Sequence, residues 1–218
     1  MRWILIGVLS VALVGTAYWG YAQKQDKQTL AIAAENDYQR AFHNLVYYTD
    51  ELEDHLATVL AMNTRKQLSP KLAEVWRVTS LAQSELSELP LGYLDLTKTK
   101  QFLYEVGEFS YKTAVRDLDE APLTEKEYNI LKNLYEYAQD VQKELRKTQA
   151  SLIKQNLKWL DIEKEMAAQS EPLDNSVIDG FHIVDERMKG YSETDWGAEM
   201  SKMTVKSEKD LKARLKSE

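Results

Sequence analysis

The sequence predicts an all-α protein, with an N-terminal transmembrane helix followed by an elongated antiparallel helical bundle. Three observations carry that expectation. Trp3 to Ala22 form 20 consecutive positions without a charge. Glycine and proline interrupt the chain so rarely that residues 21–69 and 123–171, two runs of 49, contain neither. Within those runs apolar residues recur at alternating steps of three and four, the period of a helix with one buried face.

The uncharged stretch comes first. Twenty residues span about 30 Å as a helix, which matches the hydrocarbon core of a bilayer. A cleaved signal carries a shorter apolar region of roughly 7–15 residues. Trp3 at one end and Tyr18, Trp19 and Tyr21 at the other stand where interfacial aromatics belong. Gly20-Tyr21-Ala22 is a small-x-small triplet of the kind a signal peptidase accepts, but the bulky rings before it make a poor site. Residues 1–23 therefore read as an uncleaved signal anchor. Arg2 precedes the span and Lys24 and Lys27 follow it, so charge discriminates little between orientations. The short leading tail and long following domain place the N-terminus in the cytoplasm and the rest outside. No later segment approaches 18 apolar residues, which implies a single pass. Ala12, Thr16 and Gly20 form a small-xxx-small ridge suited to packing a second membrane helix, including that of a second copy.

Residues 24–190 read as the bundle, arranged long, short, short, long, plus a short fifth helix. The first long helix carries Tyr38, Ala41, Leu45, Tyr48, Leu52, Leu56 and Val59 on one face. The next begins where Ser69 can cap and Pro70 suits the first helical position, and shows Leu72, Trp76, Thr79, Leu86 and Leu89. The third, roughly 97–118, presents Phe102, Val106, Phe109 and Thr113. The fourth opens on a capping box, Thr124 with Glu127 three residues on. It carries Tyr128, Leu131, Tyr135, Ala138, Val141, Leu145 and Leu152, continuing to Trp159 or Leu160. The fifth would bury Val177, Phe181, Val184 and Met188. Residues 191–218 form a charged tail.

Composition narrows the function. The chain holds 28 Lys and Arg against 35 Asp and Glu, a net charge of −7, which argues against a nucleic-acid binder. It has no cysteine, which excludes thiolate chemistry and disulfide support. His43, His55 and His182 fall in no zinc motif, and Glu51 and His55, four apart, suit an ordinary surface pair. Ser151 and Lys154 match a Ser-x-x-Lys pattern without its companion motifs. Asp117, Asp119 and Glu120 cluster beside Arg116 at a helix end, a solvated cap rather than a glycosidase pair. No catalytic, metal or cofactor site is expected. What stands out is aromatic content on outward faces. Arg40, His43, Tyr47 and Asp54 share the side of the first helix opposite its stripe, and Tyr111 cannot share a face with both Phe109 and Thr113. These five are the candidate partner-binding residues, because Tyr and Arg favour interface centres.

Several strings carry a resemblance. "YWGY" closing the anchor, "ENDYQRAFHNL" at 35–45, "LAMNTRKQLSPKLAEVWR" at 60–77, "GEFSYKTAVRDLDEAPLTEKEY" at 107–128 and "DNSVIDGFHIVDERMKGYSETDWG" at 174–197 are similar to the YpeB family of spore germination proteins. The likeness runs through nearly the whole chain, in order. It implies a membrane-anchored protein at the spore inner membrane, facing the cortex and acting without catalysis. Its implied partner is a SleB-type cortex-lytic transglycosylase, with which family members share mutual dependence in the dormant spore. Family members continue into PepSY-type domains, and "VKSEKDLKARLKSE" resembles the opening of one. The alternative reading of the layout is an extracytoplasmic four-helix sensory domain that binds a small ligand.

Overall fold

The structure, a computed structural model, describes residues 2–62, 65–92, 94, 96–168 and 176–192; the side chains of 2, 4–12, 17, 65, 66, 176 and 187–192 lie outside the described part. Six helices carry the described chain. They are α1 (Arg2–Ala61), α2 (Arg65–Glu88), α3 (Thr97–Ala114), α4 (Glu125–Gln155), α5 (Trp159–Ala168) and α6 (Ser176–Ser192). The charged tail, 193–218, is outside the described residues.

The first difference from expectation lies in α1. The expected anchor and the first bundle helix are one helix of 60 residues, about 90 Å long, with no break at residue 23. No helix among the described residues is long and apolar enough to cross a membrane. Much of the expected span, 4–12 and 17, has side chains outside the described ones. From residue 23 to residue 33 α1 is exposed, and burial starts with Ala34 and Glu35. The stripe from Ala41 to Val59 then follows the predicted face, with Leu45, Leu52, Leu56 and Val59 buried.

The bundle is a ring of five helices rather than four with a cover. α1 packs on α2 and α4, α2 on α3, and α6 lies between α3 and α4, touching both. α6 takes that place because Val177, Phe181 and Val184 are buried together and Ile178 widens the apolar face. Gly180 lets its backbone approach α4: a Cβ there would lie 3.1 Å from Thr148 Cβ and 3.2 Å from its Cγ2. Met188 falls on a side chain outside the described ones.

Helix boundaries also move, and α3 ends at Ala114 rather than near 118. α2 starts at Arg65, leaving Pro70 inside the helix instead of at its first position. The cause is Leu68, which is buried and continues the face formed by Leu72, Val75, Thr79, Ala82 and Leu86 one turn upstream. Trp76, predicted on that face, is 44% exposed. α4 stops at Gln155, short of Trp159. Asn156 takes a left-handed conformation (φ 51°), and the N–H of Leu157 donates back to the Leu152 carbonyl at 3.1 Å. The reversal frees Trp159 to begin α5 and pack, fully buried, against Phe42 and Phe181, with ring centroids 5.1 and 6.5 Å away. Tyr128, at the start of the α4 stripe, is half exposed and donates its hydroxyl to the Leu60 carbonyl at 3.3 Å.

Helix starts are held by carboxylates. The predicted capping box forms: the Glu127 N–H donates to Thr124 Oγ1 (3.2 Å), and the Thr124 N–H to Glu127 Oε2 (2.8 Å). In α3, Thr99 donates its N–H (2.9 Å) and hydroxyl (3.0 Å) to Asp185 of α6. At α5, the N–H groups of Trp159 (3.2 Å) and Leu160 (3.0 Å) donate to Glu35 of α1.

The close crossing of α4 and α6 yields a direct expectation. Gly180→Ala should lower the unfolding free energy by about 1–3 kcal/mol through overpacking, more than the ~1 kcal/mol that alanine gains within a helix. Thr148→Ala in the same chain should recover part of the loss, measured by urea unfolding of the full chain. A neutral single variant would contradict the close approach.

Candidate functional site

The outward face of α1 carries four of the candidate residues. Arg40 pairs with Asp37 at 3.0 Å, both well exposed. Tyr47 is 52% exposed and meets Tyr48 edge-on at 5.4 Å, so part of its ring rests on its neighbour. Asp54 is exposed, and its backbone carbonyl accepts from the Thr58 hydroxyl at 2.7 Å. His43 lines a shallow groove of about 320 Å³ between α1 and the α4–α5 reversal. Gln39, Gln149 and Asn156 supply its amides, and Phe42, Leu152 and Ile153 supply apolar surface.

Tyr111 does not join that face. It belongs to α3, beside Trp76 of α2, with ring centroids 5.4 Å apart and a 47° tilt. Tyr104 stands two helical turns earlier on the same side of α3 and is 58% exposed, and Tyr111 is 46% exposed. Gly107 of α3 lies beside the indole. A Cβ there would sit 3.7 Å from Trp76 Cδ1, so the indole lies across α3 at that point. Val115 extends the patch and is also exposed. Trp76 and Tyr111 thus meet half exposed, with Tyr104 and Val115 exposed before and after Tyr111 in the chain, and apolar surface in solvent is costly unless covered. Sequence periodicity missed this surface by assigning Trp76 to the core. The missed signal was Val75, a better-fitting neighbour for the Leu72–Thr79 face.

In the N-terminal stretch expected as an anchor, Thr16 and Gly20 are exposed, and the Thr16 hydroxyl donates to the Leu13 carbonyl at 3.0 Å. A Cβ on Gly20 would meet nothing within 4 Å, leaving the ridge open to another helix. The Ala12 side chain lies outside the described ones.

The groups that could have carried chemistry have other partners. Asp117 accepts the N–H groups of Asp119 (2.9 Å) and Glu120 (3.3 Å), which makes the acidic cluster a turn. His55 Nε2 lies 3.7 Å from Glu51, and burial, reinforced by Lys71, holds its pKa below the ordinary value. Lys154 of the Ser-x-x-Lys pair points into solvent in the last turn of α4. Among the described residues no three His, Cys, Asp or Glu side chains gather as a metal site would require.

Arg116 makes two bonds to the buried Glu127, Nη1 to Oε1 at 2.7 Å and Nη2 to Oε2 at 3.1 Å. Burial pushes the Glu127 carboxyl up. The Arg116 guanidinium and the Thr124 N–H and hydroxyl outweigh it and leave the pKa below the usual carboxylate range.

Fold and surface together define an all-helical protein with outward aromatic patches and an acidic, cysteine-free surface. The sequence model of the YpeB N-terminal family matches residues 26–161, and the chain belongs to that family. It is similar to the sporulation protein YpeB of Halalkalibacterium halodurans, with 51% identity over 215 residues, 99% of this chain and 48% of the relative. To YpeB of Bacillus subtilis the identity is 46% over 210 residues, covering 96% of this chain and 46% of the relative. For YpeB of Oceanobacillus iheyensis it is 46% over 194 residues, 89% of this chain and 43% of the relative. The chain thus spans about half the length of the curated relatives it matches. No solved structure matches it.

The Arg116–Glu127 pair gives a pH-dependent expectation. A carboxyl whose pKa is depressed on folding stabilises the protein above its ordinary pKa and loses that contribution as pH falls through the folded value. Glu127→Gln should cost about 1–3 kcal/mol near neutral pH. The gap to the parent should close in acid, measured by denaturant unfolding across pH 3–7. A gap independent of pH would show that the charge is not what stabilises this corner.

Proposed function

We propose that this protein is a non-enzymatic, membrane-anchored scaffold that stabilises and localises a SleB-type cortex-lytic transglycosylase at the spore inner membrane. Residues 3–22 hold it in the bilayer with the N-terminus cytoplasmic, and the bundle faces the cortex. The reading draws on membership of the YpeB family, whose relatives here are named sporulation proteins. It also draws on the uncharged 20-residue stretch at the start of α1. The observation that carries the binding role is the aromatic surface of Trp76, Tyr104 and Tyr111, all partly in solvent. Trp and Tyr supply most interface energy when a partner covers them. Tethering raises the local concentration of the enzyme, and a partner that binds only its folded form protects it by mass action. The His43–Tyr47 face of α1 is the second docking candidate.

The test is co-expression of the full chain with the transglycosylase, detergent solubilisation and affinity capture. The parent should co-elute with the enzyme in a fixed ratio. Trp76→Ala/Tyr111→Ala should weaken capture by about 30-fold or more, at about 2 kcal/mol for a central aromatic. His43→Ala/Tyr47→Ala serves as the comparison. Loss only in the second pair would move the interface to α1, and no capture by the folded parent would overturn the scaffold reading.

A further inference from the structure

We propose that α5 is a clasp, closed by Glu35, that fixes the direction in which the N-terminal part of α1 leaves the bundle. Glu35 is the first fully packed position of α1 after the exposed stretch 23–33. It is therefore the point at which the projecting part of the helix becomes committed to the core. Its carboxylate accepts three bonds, from Gln39 Nε2 (2.7 Å) and from the backbone N–H groups of Trp159 (3.2 Å) and Leu160 (3.0 Å). The last two are at the N-terminus of α5, where unpaired N–H groups and the helix dipole favour an anion.

The partner in this clasp is held by docking, through the buried Trp159, Ile162 and Met166. α5 has 10 residues, too few to be stable as an isolated helix, so its helicity depends on docking. It packs against α1, and Trp159 completes a triangle of rings with Phe42 of α1 and Phe181 of α6. Its link to α4 is the left-handed Asn156 followed by Leu157 and Lys158, the short segment that would have to turn for the clasp to open. Opening the clasp uncovers Phe42 and Phe181 and removes the brace from α1 at its exit. A change in tilt of the N-terminal part of α1 would load Glu35 before α3, whose packing is on α2 and α6.

The experiment uses the full chain in detergent, with Glu35→Ala and Glu35→Gln variants. Amide hydrogen exchange is read residue by residue. The chain has no cysteine, so Gln28→Cys and Ser87→Cys add a spin-label pair across the exit. In Glu35→Ala the amides of Trp159 and Leu160 should exchange about 10- to 100-fold faster, as expected for losing bonds to a charged group. Amides of α2 and α3 should be unchanged, and the label distances should broaden. Glu35→Gln keeps one acceptor oxygen and should fall between, and it carries the test if the alanine variant does not fold. Equal acceleration in every helix would make Glu35 a contributor to global stability only. That result, or unchanged exchange in α5, or an unbroadened distance distribution, overturns the clasp.

Discussion

The N–H groups at the starts of α3 and α5 are finished by carboxylates that belong to other helices. Asp185 of α6 closes α3, and Glu35 of α1 closes α5. A helix start must satisfy its unpaired donors, and meeting that need from a distant segment fixes how two elements lie together. The ring depends on this device. α6 can stand between α3 and α4 because Asp185 sets its height against α3 while Gly180 sets its distance from α4. The corner before α4 uses a local version, in which the Thr124–Glu127 box is charged and then neutralised by Arg116. In all three places a carboxylate is spent on geometry, which leaves those acids engaged in structure rather than free for catalysis.

The surface tells a complementary story. Where helices meet, polar residues are paired: Arg146 with Asp50, Asn44 with Glu85 and Gln139 with Glu53 each join α1 to a neighbour. On the outer side of α2 and α3 the pattern changes, and rings occupy positions where charges would be expected. Glu108 and Lys112 are paired within α3 along its outer side, which keeps their charges local to the helix. In the proposed scaffold, that combination would suit a surface that a partner covers.

Much of this was legible in the sequence, and the reasons it failed elsewhere are physical. The stripes of α1, α3 and α4 could be read because each helix buries one narrow face, and the Thr124–Glu127 box could be read because capping is local. The trans caps were invisible, since the residues concerned lie 86 and 124 or more positions apart. Trp76 was misplaced because a step of four from Leu72 fits a stripe as well as a step of three does, and only packing with Val78 and Ala82 decides between them. The end of α4 was missed because Asn156 took a left-handed turn without glycine. Of the candidate residues, Arg40, His43, Tyr47 and Asp54 do lie outward as periodicity required. Tyr111 gained its meaning only from a residue on another helix.

The continuity of α1 has a geometric consequence. Between the apolar stretch and the first packed turn lie residues 23–34, a rigid spacer of about 18 Å at 1.5 Å per residue. In the anchored reading that spacer sets both the height of the bundle above the bilayer and its azimuth, because every residue adds about 100° of rotation. Height and azimuth are therefore locked in phase. Removing one residue would turn the aromatic surface by more than a quarter circle while lowering it by an atom's width. Removing seven would lower it by about 10 Å and leave it facing almost the same way.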